Sequence, residues 1–405
     1  MTPAASPRRT RRRWLAVGSV TALLTLVLAA ALLIGPALPL LRMFDDAQRA
    51  ESFRTLHTLL PSRVVRASDD PWAFTRDERP LPETFEHQGV ERSLAAFLEV
   101  SETTGLLVAI DGAIVHESYA RGYDAAALAT SFSVAKSFTS ALVGIALERG
   151  LIASLDDPVD AYVRELAAGG YAGVTVRQLL TMTSGVAWSE DYQDPRSDVM
   201  QLPVRLFVLR QAVPSVLAGV AREHAPGVVQ RYSSADTLAL GLLLERATGA
   251  SLVSFLEEAL WQPAGMASSA AWGTDRRGHA LAYAFIGATL RDYARFGRLY
   301  LHGGRLGGVQ VVPDAWVEAS LTPVGPAGPD GAFGAGLRYG FHWWLPPDGE
   351  HEALALGIYG QAIYLHRDLG VVIVKTGTDP GFLGRQDETL AALRAIANAV
   401  GDAER

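Results

Sequence analysis

Ser133-Val134-Ala135-Lys136 sets a hydroxyl and an amine three residues apart, the spacing that brings two side chains onto one face of a helix. Serine is a weak nucleophile until a base takes its proton, and a lysine with a pKa lowered by desolvation can be that base. If the pair opens a helix, the free amides and the positive end of the dipole also favour a developing negative charge there. The pattern is short, and a lysine lying along an apolar helix would read the same. Composition separates the two readings. Of 36 Lys and Arg residues, only Lys136 and Lys375 are lysines. Arginine keeps its proton in a protein, whereas lysine can release it, so a lysine at this spot points to proton transfer.

A third candidate is Tyr232, in Tyr232-Ser233-Ser234, which follows Pro226-Gly227 and precedes a long apolar stretch beginning near Ala235. A tyrosine beside a lysine can carry the serine proton to a leaving group, and the lysine charge is expected to lower its pKa. The plain alternative is a tyrosine packed at a helix start. In Gly357-Ile358-Tyr359-Gly360-Gln361 the backbone amide near Ile358 is a candidate oxyanion donor beside that of Ser133.

These groups need elements to hold them. Leu106–Ile110 and Ala113–Tyr119 are β-rich runs joined by Asp111-Gly112, a tight hairpin signal. Helical spacing marks Val90–Val100, Ser133–Arg149 with Gly150 as its C-terminal stop, Val176–Met182, Ser234–Thr248, Leu252–Leu260 and Thr289–Leu301. Strands are expected at Phe341–Leu345, Ala362–His366 and Val371–Val374, before a last helix Asp387–Val400. Strands at both chain ends with helices between imply an α/β (α+β) fold: one antiparallel sheet built from N- and C-terminal parts, with a helix-rich portion at about 125–330.

Arg8, Arg9, Arg11, Arg12 and Arg13 precede an uncharged apolar stretch, and Trp14–Gly35 is long enough to span a bilayer as a helix. The expected order is a basic cytoplasmic segment 1–13, a transmembrane anchor or signal 14–35, a polar linker 36–88 and a folded domain 89–400 outside the cytoplasm. A cleaved signal peptide, with Ala29-Ala30-Ala31 as small residues, is the competing reading, and the arginines also resemble a twin-arginine export signal. The formal net charge of -7 lacks the basic excess of a nucleic-acid binder. With no cysteine, disulfides, thiolate metal sites and a cysteine nucleophile are excluded. No Gly-x-Ser-x-Gly elbow, phosphate loop, dinucleotide fingerprint or His-Glu-x-x-His pair occurs. No cofactor is required, and the expected partners are a small ester or amide and the membrane.

Taken together, the hairpin, the Ser133 motif, Leu179-Leu180-Thr181-Met182-Thr183-Ser184-Gly185, Pro226-Gly227 before Tyr232, Pro263-Ala264-Gly265-Met266 and Arg291-Asp292-Tyr293-Ala294-Arg295-Phe296-Gly297 resemble the serine β-lactamase-like family of the class C type. That family includes esterases, D-amino-acid peptidases and 6-aminohexanoate-dimer hydrolases. The resemblance covers roughly 85–400. It implies an antiparallel sheet flanked by terminal helices, a second helical region, and an acyl-enzyme on Ser133 served by Lys136 and Tyr232. Two departures weaken a β-lactamase assignment: Ser234 stands where class C enzymes carry asparagine, and the third motif lacks lysine. Lys375-Thr376-Gly377 imitates that lysine motif, but it closes the run Val371–Val374 with only a helix to follow. Tyr-Ser-Ser, Gly-Ile-Tyr-Gly-Gln and Asp191-Tyr192-Gln193-Asp194-Pro195 look more like the 6-aminohexanoate-dimer hydrolase branch, which implies substrate contacts at Tyr192, Tyr359 and Gln361. Serine hydrolysis of an ester or amide is therefore expected. The alternatives are a membrane-tethered penicillin-binding or ligand-binding sensor without turnover, and a D-amino-acid peptidase.

Overall fold

The computed structural model describes residues 42–324, 336–349 and 351–401. The basic block and the apolar stretch 14–35 lie outside the described residues, and among those described no single helix is long and apolar enough to cross a membrane.

Eight strands form the central sheet: β1 Thr75–Arg76, β2 Thr103–Ile110, β3 Ala113–Tyr119, β4 Arg338–Tyr339, β5 Trp344–Leu345, β6 Glu352–Gly357, β7 Gln361–His366 and β8 Val371–Gly377. Their order is β4-β5-β6-β7-β8-β2-β3-β1. Pairings are antiparallel except that of β1 with β3. Strand β2 from the N-terminal part lies against β8 from the C-terminal part, with Ile110 opposite Val371, so both chain ends complete one sheet. Asp111 and Gly112 join β2 to β3 with φ of 43° and 97°, the left-handed pair a two-residue hairpin turn uses.

Five helices matter for the site: α1 Leu94–Val100, α2 Ala135–Glu148, α3 Ser234–Thr248, α4 Leu290–Leu301 and α5 Gln386–Gly401. Successive residues of β2 alternate between two apolar cores: Leu106, Val108 and Ile110 join α1 and α5 on one face, while Leu107 and Ala109 join α2, α3 and α4 on the other. With both faces covered, β2 is buried throughout, and its run Leu106–Ile110 is continuously apolar instead of alternating with polar residues. Helix α4 approaches the sheet closely at Gly297, where a Cβ would stand 2.8 Å from Val372 Cγ1. Its Asp292 accepts from the amides of Ala267 and Ser268, and its Tyr293 hydroxyl donates to the carbonyls of Ala129 and Ile286. The Arg291–Gly297 motif is thus a clamp between helix and sheet.

Several local expectations change. The stretch 42–88, read as a linker, packs onto the body: Ser62–Val65 pairs with Ala270–Gly273, and buried Arg49 donates to Thr378 O and Glu102. These partners lie between 53 and 329 residues away along the chain, so no local periodicity reveals them. Val90–Ser93 is a strand paired with Thr84–His87 rather than the first turn of a helix; Ser93 is extended and accepts from Ala96 N as the cap of α1. Phe341 and His342 do not join the strand, because His342 is left-handed at φ 63°. Strand β8 runs on through Lys375-Thr376-Gly377 instead of stopping at Val374. Strand β6 was not expected: Glu-Ala-Leu-Ala-Leu-Gly carries helix-favouring residues, and its pairing with β7 overrides them.

Candidate active site

Ser133 lies in a single 3-10 turn, Phe132–Val134, that leads into α2, so the Ser-x-x-Lys spacing spans a tight turn and the first turn of the helix. Phe132 just before it is left-handed at φ 41°, a conformation non-glycine residues seldom adopt. Its ring packs between Phe53 and Phe285, which holds the turn in place. Lys136 Nζ donates to Ser133 Oγ at 3.0 Å, to Ser234 Oγ at 3.1 Å and to Tyr283 O at 3.4 Å. Three acceptors match the three donors of an ammonium. Lys136 is buried, at 1% exposure, and burial pushes its pKa down to about 8, with the Glu190 charge opposing part of that fall.

Tyr232 is equally buried, and Lys136 Nζ stands 4.7 Å from its ring centroid. Trp344 tilts against the ring at 5.4 Å. Its pKa lies well above the ordinary value, raised by burial and by the Glu190 charge and opposed by a hydrogen bond with Ser133. No lowering by Lys136 appears: burial and the Glu190 charge keep the Tyr232 pKa high, so Tyr232 rests as a neutral phenol and not as a base. The Leu179–Gly185 motif positions this loop: Met182 O accepts from Arg231 N, Thr181 O from Gln230 Nε2 and Thr183 O from Gly227 N. Ser184 donates to Asp236 at the start of α3, and burial lifts the Asp236 pKa to about 7.

Glu190 is the group that sequence reasoning missed. Buried, it accepts from Trp188 Nε1 at 2.6 Å, from Tyr192 OH at 2.8 Å, from Ser234 N at 3.0 Å and from the Ser234 hydroxyl. Ser234 therefore joins Lys136 to a buried carboxylate. The available signal is the period of two in Trp188, Glu190 and Tyr192, which brings alternate side chains to one side of an extended segment.

Ser133, Ile358 and Tyr192 line one cavity of about 170 Å³. Gly357 lets the end of β6 reach the Ser133 turn; a Cβ there would stand 2.6 Å from Ser131 O. The next residue, Ile358, begins the turn to β7, where Tyr359 is left-handed at φ 62°. Tyr359 and Gln361 do not line this cavity. The Tyr359 ring stacks on Phe44 at 5.5 Å, and the Gln361 amide donates to Ile358 O, Tyr359 O and Gly377 O, bracing the turn from behind. Lys375 faces the other core, in a separate cavity of about 460 Å³ shared with Gln361, Asp379 and Phe382. Trp343 packs on Phe296 and Tyr300 in the interior. Among the described residues no cluster of His, Cys, Asp and Glu could hold a metal ion.

A model of the beta-lactamase family matches residues 90–396. The chain is 31% identical over 294 residues to the 6-aminohexanoate-dimer hydrolase of Paenarthrobacter ureafaciens, covering 70% of this chain and 74% of that one. A Bacillus anthracis protein whose solved structure provisionally carries the same name superposes with a TM-score of 0.79 at 25% identity, over 89% of this chain and 96% of that one. EstCE1, a hydrolase with promiscuous acyltransferase activity, shares the fold at a TM-score of 0.57 and 17% identity, covering 75% of this chain and 98% of its own.

Proposed function

The chain belongs to the beta-lactamase family, and on that premise we propose that it cleaves ester or amide bonds through an acyl-enzyme on Ser133. One observation carries the reading: a buried lysine amine lies 3.0 Å from the serine oxygen, with a buried tyrosine above it. With a pKa of about 8, roughly a tenth of Lys136 is unprotonated at pH 7, enough to act as base. Lys136 takes the Ser133 proton as Oγ attacks the carbonyl carbon. The amides of Ser133 and Ile358 hold the oxyanion. Tyr232, as a neutral phenol, gives its proton to the leaving group and recovers one from Lys136. Water repeats the sequence in reverse to release the acid.

The distance supports catalysis over passive binding, because three hydrogen bonds hold Lys136 in reach of the serine. Among the described residues no charged side chain lines the cavity beside Ser133. The stretch 14–35 supports an anchored protein with its catalytic body outside the cytoplasm; fractionation of cells and protease accessibility of the body test it.

The deciding experiment is hydrolysis of p-nitrophenyl butyrate by the protein, by Ser133→Ala and by Lys136→Arg, which keeps the charge but not the ability to lose a proton. Both variants are expected to lose at least about a hundredfold in kcat/KM. Activity of Ser133→Ala equal to the parent would overturn the mechanism.

A further inference from the structure

The cavity beside Ser133 has a chemical character that its relatives' printed names do not describe. Its apolar lining includes Phe44, Phe132, Met200, Val204, Phe207 and Phe285. Its polar residues are Ser133, Tyr192 and Tyr283. The Tyr192 hydroxyl is already given to Glu190. Glu190 itself accepts from Trp188, Tyr192 and Ser234 and is not exposed to the cavity, so no described carboxylate is free to meet a cation there.

Tyr232 and Lys136 are likewise absent from the lining. Leaving-group protonation belongs to Tyr232, so the leaving group departs on the Tyr232 side and this cavity receives the acyl half. Its volume of about 170 Å³ slightly exceeds the ~150 Å³ of an apolar cavity that accepts benzene. Resting on the acyl-enzyme reading above, the geometry points to an uncharged apolar acyl group of about six carbons as the preferred donor, and to exclusion of a chain of the same length ending in an ammonium.

This separates the chain from what the name 6-aminohexanoate-dimer hydrolase says of its relative, since a 6-aminohexanoyl group would bring its ammonium into a lining without a charged side chain. A charge stripped of water and left without a counter-ion is strongly disfavoured. Hexanoyl presents the same chain without that charge.

The test compares p-nitrophenyl acetate, hexanoate, decanoate and 6-aminohexanoate on the parent protein and on Ser133→Ala. Expected are a kcat/KM maximum at hexanoate and a preference for hexanoate over 6-aminohexanoate on the order of a hundredfold, the scale set by an unpaired buried charge. Val204→Asp, which supplies a carboxylate at the pocket wall, is expected to lower that preference at least about tenfold, the scale of one added charge partner. Equal rates for the two six-carbon esters on the parent protein, with Ser133→Ala inert, would overturn the pocket assignment and leave the acyl-enzyme reading standing. If all four esters are turned over no faster by the parent than by Ser133→Ala, the acyl-enzyme reading fails and the assignment falls with it. The comparison on the parent protein stands whether or not Val204→Asp folds.

Discussion

Ser234 accepts a hydrogen bond from Lys136 Nζ at 3.1 Å while giving its own proton to Glu190, so one hydroxyl links the proposed base to a buried carboxylate. The link gives the Tyr-Ser-Ser motif a function where class C enzymes have asparagine. Glu190 does not touch Ser133; it acts through the charge of Lys136, which it helps to keep protonated.

Glu190→Gln is therefore expected to lower the Lys136 pKa further. In the parent, kcat/KM for an ester should rise with pH through a midpoint near 8, as Lys136 loses its proton, and level off above it. Without the Glu190 charge the midpoint should fall by about one unit, the scale of a lost nearby opposite charge. A pH profile with an unmoved midpoint would show that Glu190 only braces the loop.

Tyr232→Phe separates proton delivery from nucleophilic attack. p-Nitrophenolate leaves without a proton, whereas an alkoxide or amide nitrogen does not. The variant should lose about 10²–10⁴-fold on an alkyl ester or anilide, the range of general acid catalysis, and markedly less on a p-nitrophenyl ester. Equal losses on both substrates would assign Tyr232 to packing.

Much of this arrangement is legible in the sequence, and the illegible parts share a cause. Helix α3 begins and ends where its signals lie: Ser233 caps it by accepting from Asp236 N, and Gly249 stops it at φ 68°. The Ser133–Lys136 contact follows from spacing alone. Glu190 was hidden because it sits in a segment without regular structure, and its partners Trp188 and Ser234 come together only in the folded chain. Strand β6 and the segment 42–88 were hidden likewise, since β6 is defined by pairing with β7 and Arg49 by a carbonyl at Thr378. Tyr359 and Gln361 came from a motif whose backbone reaches the site while these side chains turn away.

Gly357 tests the meeting of β6 with the serine turn. Its backbone is ordinary, at φ -134°, so a substitution there acts through space alone. Gly357→Ala would put a methyl 2.6 Å from Ser131 O. The clash should cost about 1–3 kcal/mol of stability, as overpacking does, and by moving Ile358 away from Ser133 should lower kcat/KM about tenfold or more, the scale of a weakened oxyanion donor. Unchanged kcat/KM would mean that the Ile358 amide plays no part in the oxyanion site.

Lys375 supplies a stability test independent of catalysis. Among the described residues its buried Nζ has no hydrogen-bond partner, and the Asp379 carboxylate nearby is taken by Arg385 at 2.7 Å. Burial pushes the Lys375 pKa down to about 8, with the Asp379 charge opposing the fall. Because the unfolded chain holds its lysine proton up to about 10.4, it binds more protons than the folded state between these values, and stability rises with pH across that window. Below pH 8 the folded protein carries the full penalty. Lys375→Met, unbranched and similar in length, should therefore raise the unfolding free energy at pH 7 by on the order of 1–3 kcal/mol, the cost of an unpaired buried polar group, and the gain should shrink as pH approaches 10.4. Urea denaturation of both proteins at pH 7 and pH 10 measures it. A variant less stable than the parent at pH 7 would mean that the ammonium has a partner in solution that its surroundings here do not supply.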